Sequence, residues 1–170
     1  MQKVLLITGA CGVGKTTLAR AWARRHQGAI IETDYLTEWV FKEDFPQWTP
    51  AEERFTARAS ALLAVEYLRE GMPVAIENVW SPEGMNLIRA HLRAADEQIA
   101  VQAVWLFCDL PENQRRDQER IPENQMLARV AVVKRELEGY DWPAEVHRMD
   151  TMRISVEETL DIIEGLKAMG

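Results

Sequence analysis

Residues Lys3-Val4-Leu5-Leu6-Ile7-Thr8 lead without a break into Gly9-Ala10-Cys11-Gly12-Val13-Gly14-Lys15-Thr16-Thr17. The second half is G-x-x-x-x-G-K-T, a phosphate-binding loop. The apolar run Val4 to Ile7 reads as a strand buried on both faces, as at the centre of a parallel sheet. Beyond the loop, Leu18, Ala21 and Trp22 recur at helical spacing while Arg20, Arg24 and Arg25 fall mostly off that stripe, which predicts a helix from about Lys15. Strand, glycine loop and helix therefore follow in the order the motif needs.

The residue types suit a polyphosphate. Several negative charges can be surrounded by backbone N–H groups only where no Cβ obstructs the approach, and Gly9, Gly12 and Gly14 permit that path through Ala10, Cys11 and Val13. The helix that follows adds unpaired amides and the positive end of its dipole. Lys15 is the mobile charge for the β and γ phosphates, Thr16 the hydroxyl for Mg²⁺, and Thr17 a donor for the α phosphate. The competing reading is a glycine-rich turn with no ligand, and the complete motif in its strand-to-helix context argues against it.

The 170 residues, 47% apolar and 28% charged, predict one domain over 1–170 with a single core. A net charge of −7 disfavours a long nucleic acid as partner. Cys11 and Cys108 are isolated thiols, which suits a reducing compartment and offers no zinc site. The first apolar run is too short for a signal peptide and Val101 to Cys108 is too short to span a bilayer, so a cytoplasmic protein without a membrane partner is expected.

Taken in order, Gly28 reads as the stop of the first helix, and Ala29-Ile30-Ile31 as a short second strand leading to Asp34. A carboxylate just past a strand's C-terminal end lies on the edge where open α/β sheets bind ligands. Asp34 is thus a candidate to accept a substrate hydroxyl proton or hold a Mg²⁺ water, the alternative being a helix cap. Tyr35, Trp39, Phe41, Phe45 and Trp48 read either as a pocket lining or as the apolar side of a small helical flap. Thr49-Pro50-Ala51-Glu52 is a helix start, and Arg54 and Arg58 lie one turn apart on that helix, either anchoring an anionic substrate or solvated.

Pro73 to Val79 is a third strand ending in Glu77-Asn78, with Asn78 a substrate-binding candidate. Motor and transport ATPases place an Asp-Glu pair at such a strand end, and the Glu-Asn found here weakens a water-activating role. Ser81-Pro82 opens the next helix, on which His91 is read as structural or surface rather than as a ligand. Ile99 to Cys108 is the fourth strand, followed by a polar helix carrying Arg116 and Arg120, four apart, and by a helix spanning Met126 to Leu137 that ends at Gly139. The two arginines could meet a nucleotide, or belong to a salt-bridged surface. Val146 to Met149 is a fifth strand, Asp150-Thr151 its turn, and Ser155 to Glu158 a capping box. This order predicts an α/β, three-layer architecture: a five-stranded parallel sheet with helices on both faces.

With G-A-C-G-V-G-K-T-T, Asp34 after the second strand, Glu70-Gly71 before the third, C-D-L-P-E-N-Q-R-R-D-Q-E-R at Cys108 to Arg120 and the late M-D-T turn followed by S-V-E-E-T-L, the chain resembles the small P-loop kinases. That group contains shikimate and gluconate kinases, chloramphenicol phosphotransferase and nucleoside monophosphate kinases. The resemblance implies the P-loop NTPase fold with a helical lid, ATP and Mg²⁺. It implies that Asp34 receives the substrate proton, that Arg116 stacks on adenine and that Arg120 is the lid arginine reaching the transferring phosphoryl group. It further implies that Asp150 and Thr151 flank the adenine, that a lid lies within about 113–130 and that residues about 35–60 recognise the substrate. The expected function is transfer of the γ phosphate to a hydroxyl of a small molecule by a monomer or homodimer. The alternatives are a mononucleotide or polynucleotide kinase, or a nucleotide-binding switch without kinase activity.

Overall fold

The computed structural model describes residues 2–43, 45 and 49–169. Five strands, β1 (Lys3–Gly9), β2 (Ala29–Glu32), β3 (Val74–Glu77), β4 (Ala100–Phe107) and β5 (Val146–Asp150), form one sheet in the order β2-β3-β1-β4-β5. All neighbours are parallel. The strand carrying the glycine loop is central, and Val4, Leu5, Leu6 and Ile7 are completely buried, as the continuous apolar run requires.

Among the described residues the connections are α1 (Lys15–His26), α2 (Asp34–Glu38), α3 (Pro50–Arg69), α4 (Pro82–Ala95), α5 (Leu110–Gln118), a short 3₁₀ turn (Pro122–Asn124), α6 (Arg129–Gly139) and α7 (Val156–Gly165). The step from β1 to β2 runs one way along the sheet and the later steps run the other. Right-handed crossovers therefore place α1 on one face and α3, α4 and α6 on the opposite one. The last helix returns to the α1 face, where Arg25 binds Asp161 at 2.7 Å and Glu157 at 2.6 Å. Arg20 pairs with Glu32 at 2.7 Å. Arg20 and Arg25 of the first helix are thus paired with neighbouring carboxylates. The predicted three-layer fold is the observed one, and among the described residues no helix is long and apolar enough to cross a membrane.

Local chemistry sets most boundaries where the sequence places them. Thr49 and Glu52 form a reciprocal capping box with Pro50 at the first position of α3, and Ser155 and Glu158 do the same for α7. Ser81 accepts from the Gly84 amide at 3.1 Å to open α4.

Three expectations are corrected. Gly28 does not supply the left-handed stop of α1; Gln27 does, at φ 52°, and Gly28 is needed because a Cβ there would stand 2.1 Å from the Pro73 carbonyl oxygen. The helix expected from Met126 begins only at Arg129, because Leu127 sits at φ 50° and the Met126 and Leu127 amides turn to the Asp117 carboxylate. Among the described residues the aromatic run gives no apolar flap side: α2 has five residues, Trp39 and Phe41 are exposed, and Phe45 meets Phe55 edge-on. Trp48 lies outside the described residues.

Candidate active site

A cavity of about 580 Å³ opens along the C-terminal ends of β1, β2 and β3. Its floor is the glycine loop and the start of α1, with Cys11, Gly12, Gly14, Lys15, Thr16 and Thr17 on the wall. Gly9, Ala10 and Val13 are buried behind it. Gly12 and Gly14 take φ values of 81° and 95°, in the left-handed region that favours glycine, and a Cβ at Gly14 would project into open space. That space is what a phosphate needs beside the first amides of a twelve-residue helix. Lys15 Nζ rests on the Ala10 carbonyl at 3.2 Å.

Across the floor stands Glu77, whose strand-end position alone does not mark it as part of the site. Its Oε1 accepts the Thr16 hydroxyl at 2.8 Å, although 61 residues separate them. Burial pushes the Glu77 carboxyl up from its ordinary range, against the Lys15 charge and the Thr16 hydrogen bond that favour its ionised form. The donor set of a hydroxyl beside a carboxylate, next to a lysine and open amides, fits a hard cation accompanying a polyphosphate.

Asp34 is placed by its neighbour. The Thr33 amide and hydroxyl both donate to the Glu77 carbonyl, at 3.4 Å and 3.2 Å, tying the end of β2 to the end of β3. Asp34 then opens α2 as its first residue and lines the cavity, with Thr33 at the cap position. The Asp34 side chain does not cap the helix. Asn78 also lines the cavity, its Oδ1 accepting from the Val79 amide at 2.7 Å.

The far wall comes from the N-terminal turn of α3, with Thr49, Pro50, Glu52, Glu53 and Thr56. Arg54 and Arg58 are exposed and lie off the cavity wall, Arg54 standing 3.7 Å from Glu83. Helix periodicity explains this, because the face carrying Glu53 and Thr56 toward the cavity turns residues 54 and 58 away. None of the described aromatics between Tyr35 and Phe45 lines the cavity either. Tyr140, which no local pattern singles out, closes the wall from the end of α6 and donates to Glu136 at 2.8 Å; burial and that hydrogen bond push its phenol up to about 12.

Arg116, Arg120 and Arg129 line the cavity from the side of α5 and α6. Arg116 donates to Glu112 at 2.6 Å and to the Thr151 hydroxyl and carbonyl at 3.0 Å and 3.2 Å, so its guanidinium stands against the turn after β5. Arg115 and Arg116 together hold the Glu112 carboxyl down to about 2. Asp150 and Thr151 sit behind Arg116, off the cavity wall. Arg120 follows the end of α5 and stands 3.5 Å from Asp117.

Comparison with known proteins agrees with this geometry. The chain is 24% identical over 161 residues to an L-seryl-tRNA(Sec) kinase of Methanococcus maripaludis, covering 92% of this chain and 59% of that protein's length. Among solved structures, an unliganded sugar kinase from Janibacter sp. HTCC2649 superimposes with a TM-score of 0.76 at 15% identity, covering 98% of this chain and 94% of the other. The Mycobacterium tuberculosis APS kinase CysC, in complex with AMPPNP and APS, does so at 0.67 and 17% identity, covering 96% of each chain. At those identities the likeness is one of fold. A family model described as an AAA domain matches residues 4–143, and the chain belongs to that family, with the fold of the P-loop kinases.

Proposed function

We propose that the chain is an ATP-dependent kinase that transfers the γ phosphate to a hydroxyl of a small molecule. The observation that carries this reading is one continuous cavity whose wall includes the glycine loop, Lys15 and Thr16 on one side and Asp34 on another. The names of two relatives, a seryl-tRNA kinase and a sugar kinase, point to acceptors that bear alcohol groups.

The roles follow from the chemistry of each group. Loop amides and Lys15 hold the triphosphate and neutralise its charge, and Arg116, on the cavity wall, is the candidate to stack on the base. Thr16 and Glu77 would hold a Mg²⁺ ion, which would supply further neutralisation of the polyphosphate charge. Asp34 orients the acceptor hydroxyl and takes its proton as the new O–P bond forms; the bond from the γ phosphorus to the bridging oxygen breaks, and its electron pair leaves with ADP. Arg120 meets the charge on the group in transit.

Arg54 and Arg58, the candidates to grip a mononucleotide's phosphate, lie off the cavity wall, which turns the reading away from a mononucleotide acceptor, and the net charge of −7 opposes a long nucleic acid. Incubation with ATP and Mg²⁺ across matched panels of sugars, amino alcohols, hydroxy acids, nucleosides and nucleoside monophosphates tests the proposal. A phosphorylated product from one hydroxyl compound supports it; ATP turnover stimulated by a protein partner and by none of these compounds refutes it.

A further inference from the structure

The lid is held by a buried charge that none of the roles above uses. Asp117, on the last turn of α5, is 1% exposed. Its two carboxylate oxygens accept from the Met126 amide at 3.0 Å and 2.9 Å, and Oδ2 accepts from the Leu127 amide at 2.8 Å. The Arg120 guanidinium stands 3.5 Å from Oδ1, and the Arg120 amide donates to the Asp117 carbonyl at 3.1 Å. One carboxylate thus binds both ends of the excursion from residue 118 to residue 128.

Among the described residues few other side-chain hydrogen bonds fix that excursion. Its regular structure is the three-residue turn Pro122–Asn124, and its other clasp is Gln125, whose Nε2 donates to the Gln118 and Arg120 carbonyls at 3.0 Å and 2.9 Å. Leu127 holds φ 50°, a conformation that a leucine adopts only when its surroundings over-determine it. Two successive amides converging on one carboxylate supply that constraint. Arg120 and Met126, inside this loop, and Arg129, just beyond it, all line the cavity. One turn back on the same buried face of α5, Asn113 Nδ2 donates to the Cys11 carbonyl at 2.8 Å, so the helix bearing Asp117 is fixed to the glycine loop.

We propose that Asp117 is a positioning residue: its carboxylate sets the base of the lid relative to the glycine loop and thereby delivers Arg120 to the γ phosphate. This rests on the kinase reading, in which Arg120 touches the transferring group. Two consequences separate it from a merely structural role. Loss of the clasp removes the contribution of the γ phosphate to binding while leaving the contacts of ADP in place, and it acts through Arg120, so the two losses do not add.

The test compares binding of AMP-PNP and ADP, each with Mg²⁺, to the wild type, Asp117→Asn, Arg120→Ala and the double variant, with melting curves to establish folding. The wild type is expected to prefer AMP-PNP by about fivefold or more. Asp117→Asn is expected to lose that preference with ADP affinity within about twofold, and the double variant to match Arg120→Ala alone. Preference retained in Asp117→Asn, or losses that multiply in the double variant, overturns the proposal. A wild type that binds nucleotide without preference also overturns it, whereas one that binds no nucleotide sinks the kinase reading and this inference together. Should Asp117→Asn fail to fold, amide exchange in the wild type decides: Met126 and Leu127 are expected to be protected, and exchange at unprotected rates contradicts the clasp.

Discussion

The Thr16 hydroxyl donates to Glu77 Oε1 at 2.8 Å, joining the first turn of α1 to the end of β3 across 61 residues. The pair gives the cavity floor a hydroxyl and a carboxylate beside Lys15, and charge shared in this way predicts a metal dependence. Glu77→Gln is expected to raise the Mg²⁺ concentration for half-maximal ATP turnover by about tenfold, a typical effect of losing a group that orients a metal site. Mg²⁺ titration of initial rates checks it; an unchanged midpoint would show that Glu77 serves packing alone.

The same carboxylate carries a pH signature. Its folded pKa is raised above the ordinary 4.5, burial being the largest cause, so in the window just above 4.5 the folded state holds a proton that the unfolded state has released. Stability of the metal-free protein should therefore fall as pH rises through that window, and Glu77→Gln should remove this component. Urea titrations of both proteins at several pH values between about 4.5 and 7 measure it. Parallel profiles for the two proteins would contradict the assignment.

Asn113 ties α5 to the loop through the Cys11 carbonyl. Asn113→Ala removes that donor from a completely buried position. A lost hydrogen bond of about 1 kcal/mol corresponds to roughly fivefold weaker ATP binding if the bond fixes the loop in its binding shape. Calorimetric titration with ATP tests this, and unaltered affinity would mean that the loop holds its own conformation.

Arg54 and Arg58 provide the opposite control. Both are exposed and lie off the cavity wall. The double replacement Arg54→Ala/Arg58→Ala is expected to change acceptor KM less than about twofold and stability by about 0.5 kcal/mol or less. A large rise in KM for an anionic acceptor would restore the substrate-anchor reading.

What the sequence disclosed and what it hid divide along a physical line. The glycine loop, the five strands and the capping boxes depend on neighbours within a few residues, so the order of residues displays them directly. Glu77 is not legible in the sequence because its meaning depends on β3 lying beside β1, with Ile7 opposite Glu77, and strand adjacency is written nowhere in local order. A glutamate ending a buried apolar strand was the available signal, obscured by comparison with an Asp-Glu pair. The Arg54 and Arg58 pair failed in the other direction: their spacing put them on one helix face, but which face meets the cavity follows from how α3 packs against its neighbours. The helix start at Arg129 escaped for the same reason, since the apolar spacing of Met126 and Leu127 is helical until a buried Asp117 claims their amides.

The most direct test of the central claim is the Asp34→Asn variant, measured for ATP affinity and for phosphoryl transfer to whichever hydroxyl acceptor the panel identifies. Removing the proton acceptor while keeping its shape should lower turnover by about 10²–10⁴-fold and leave ATP affinity within about twofold. Turnover close to the wild type would contradict the proposal that Asp34 carries the chemistry opposite the glycine loop.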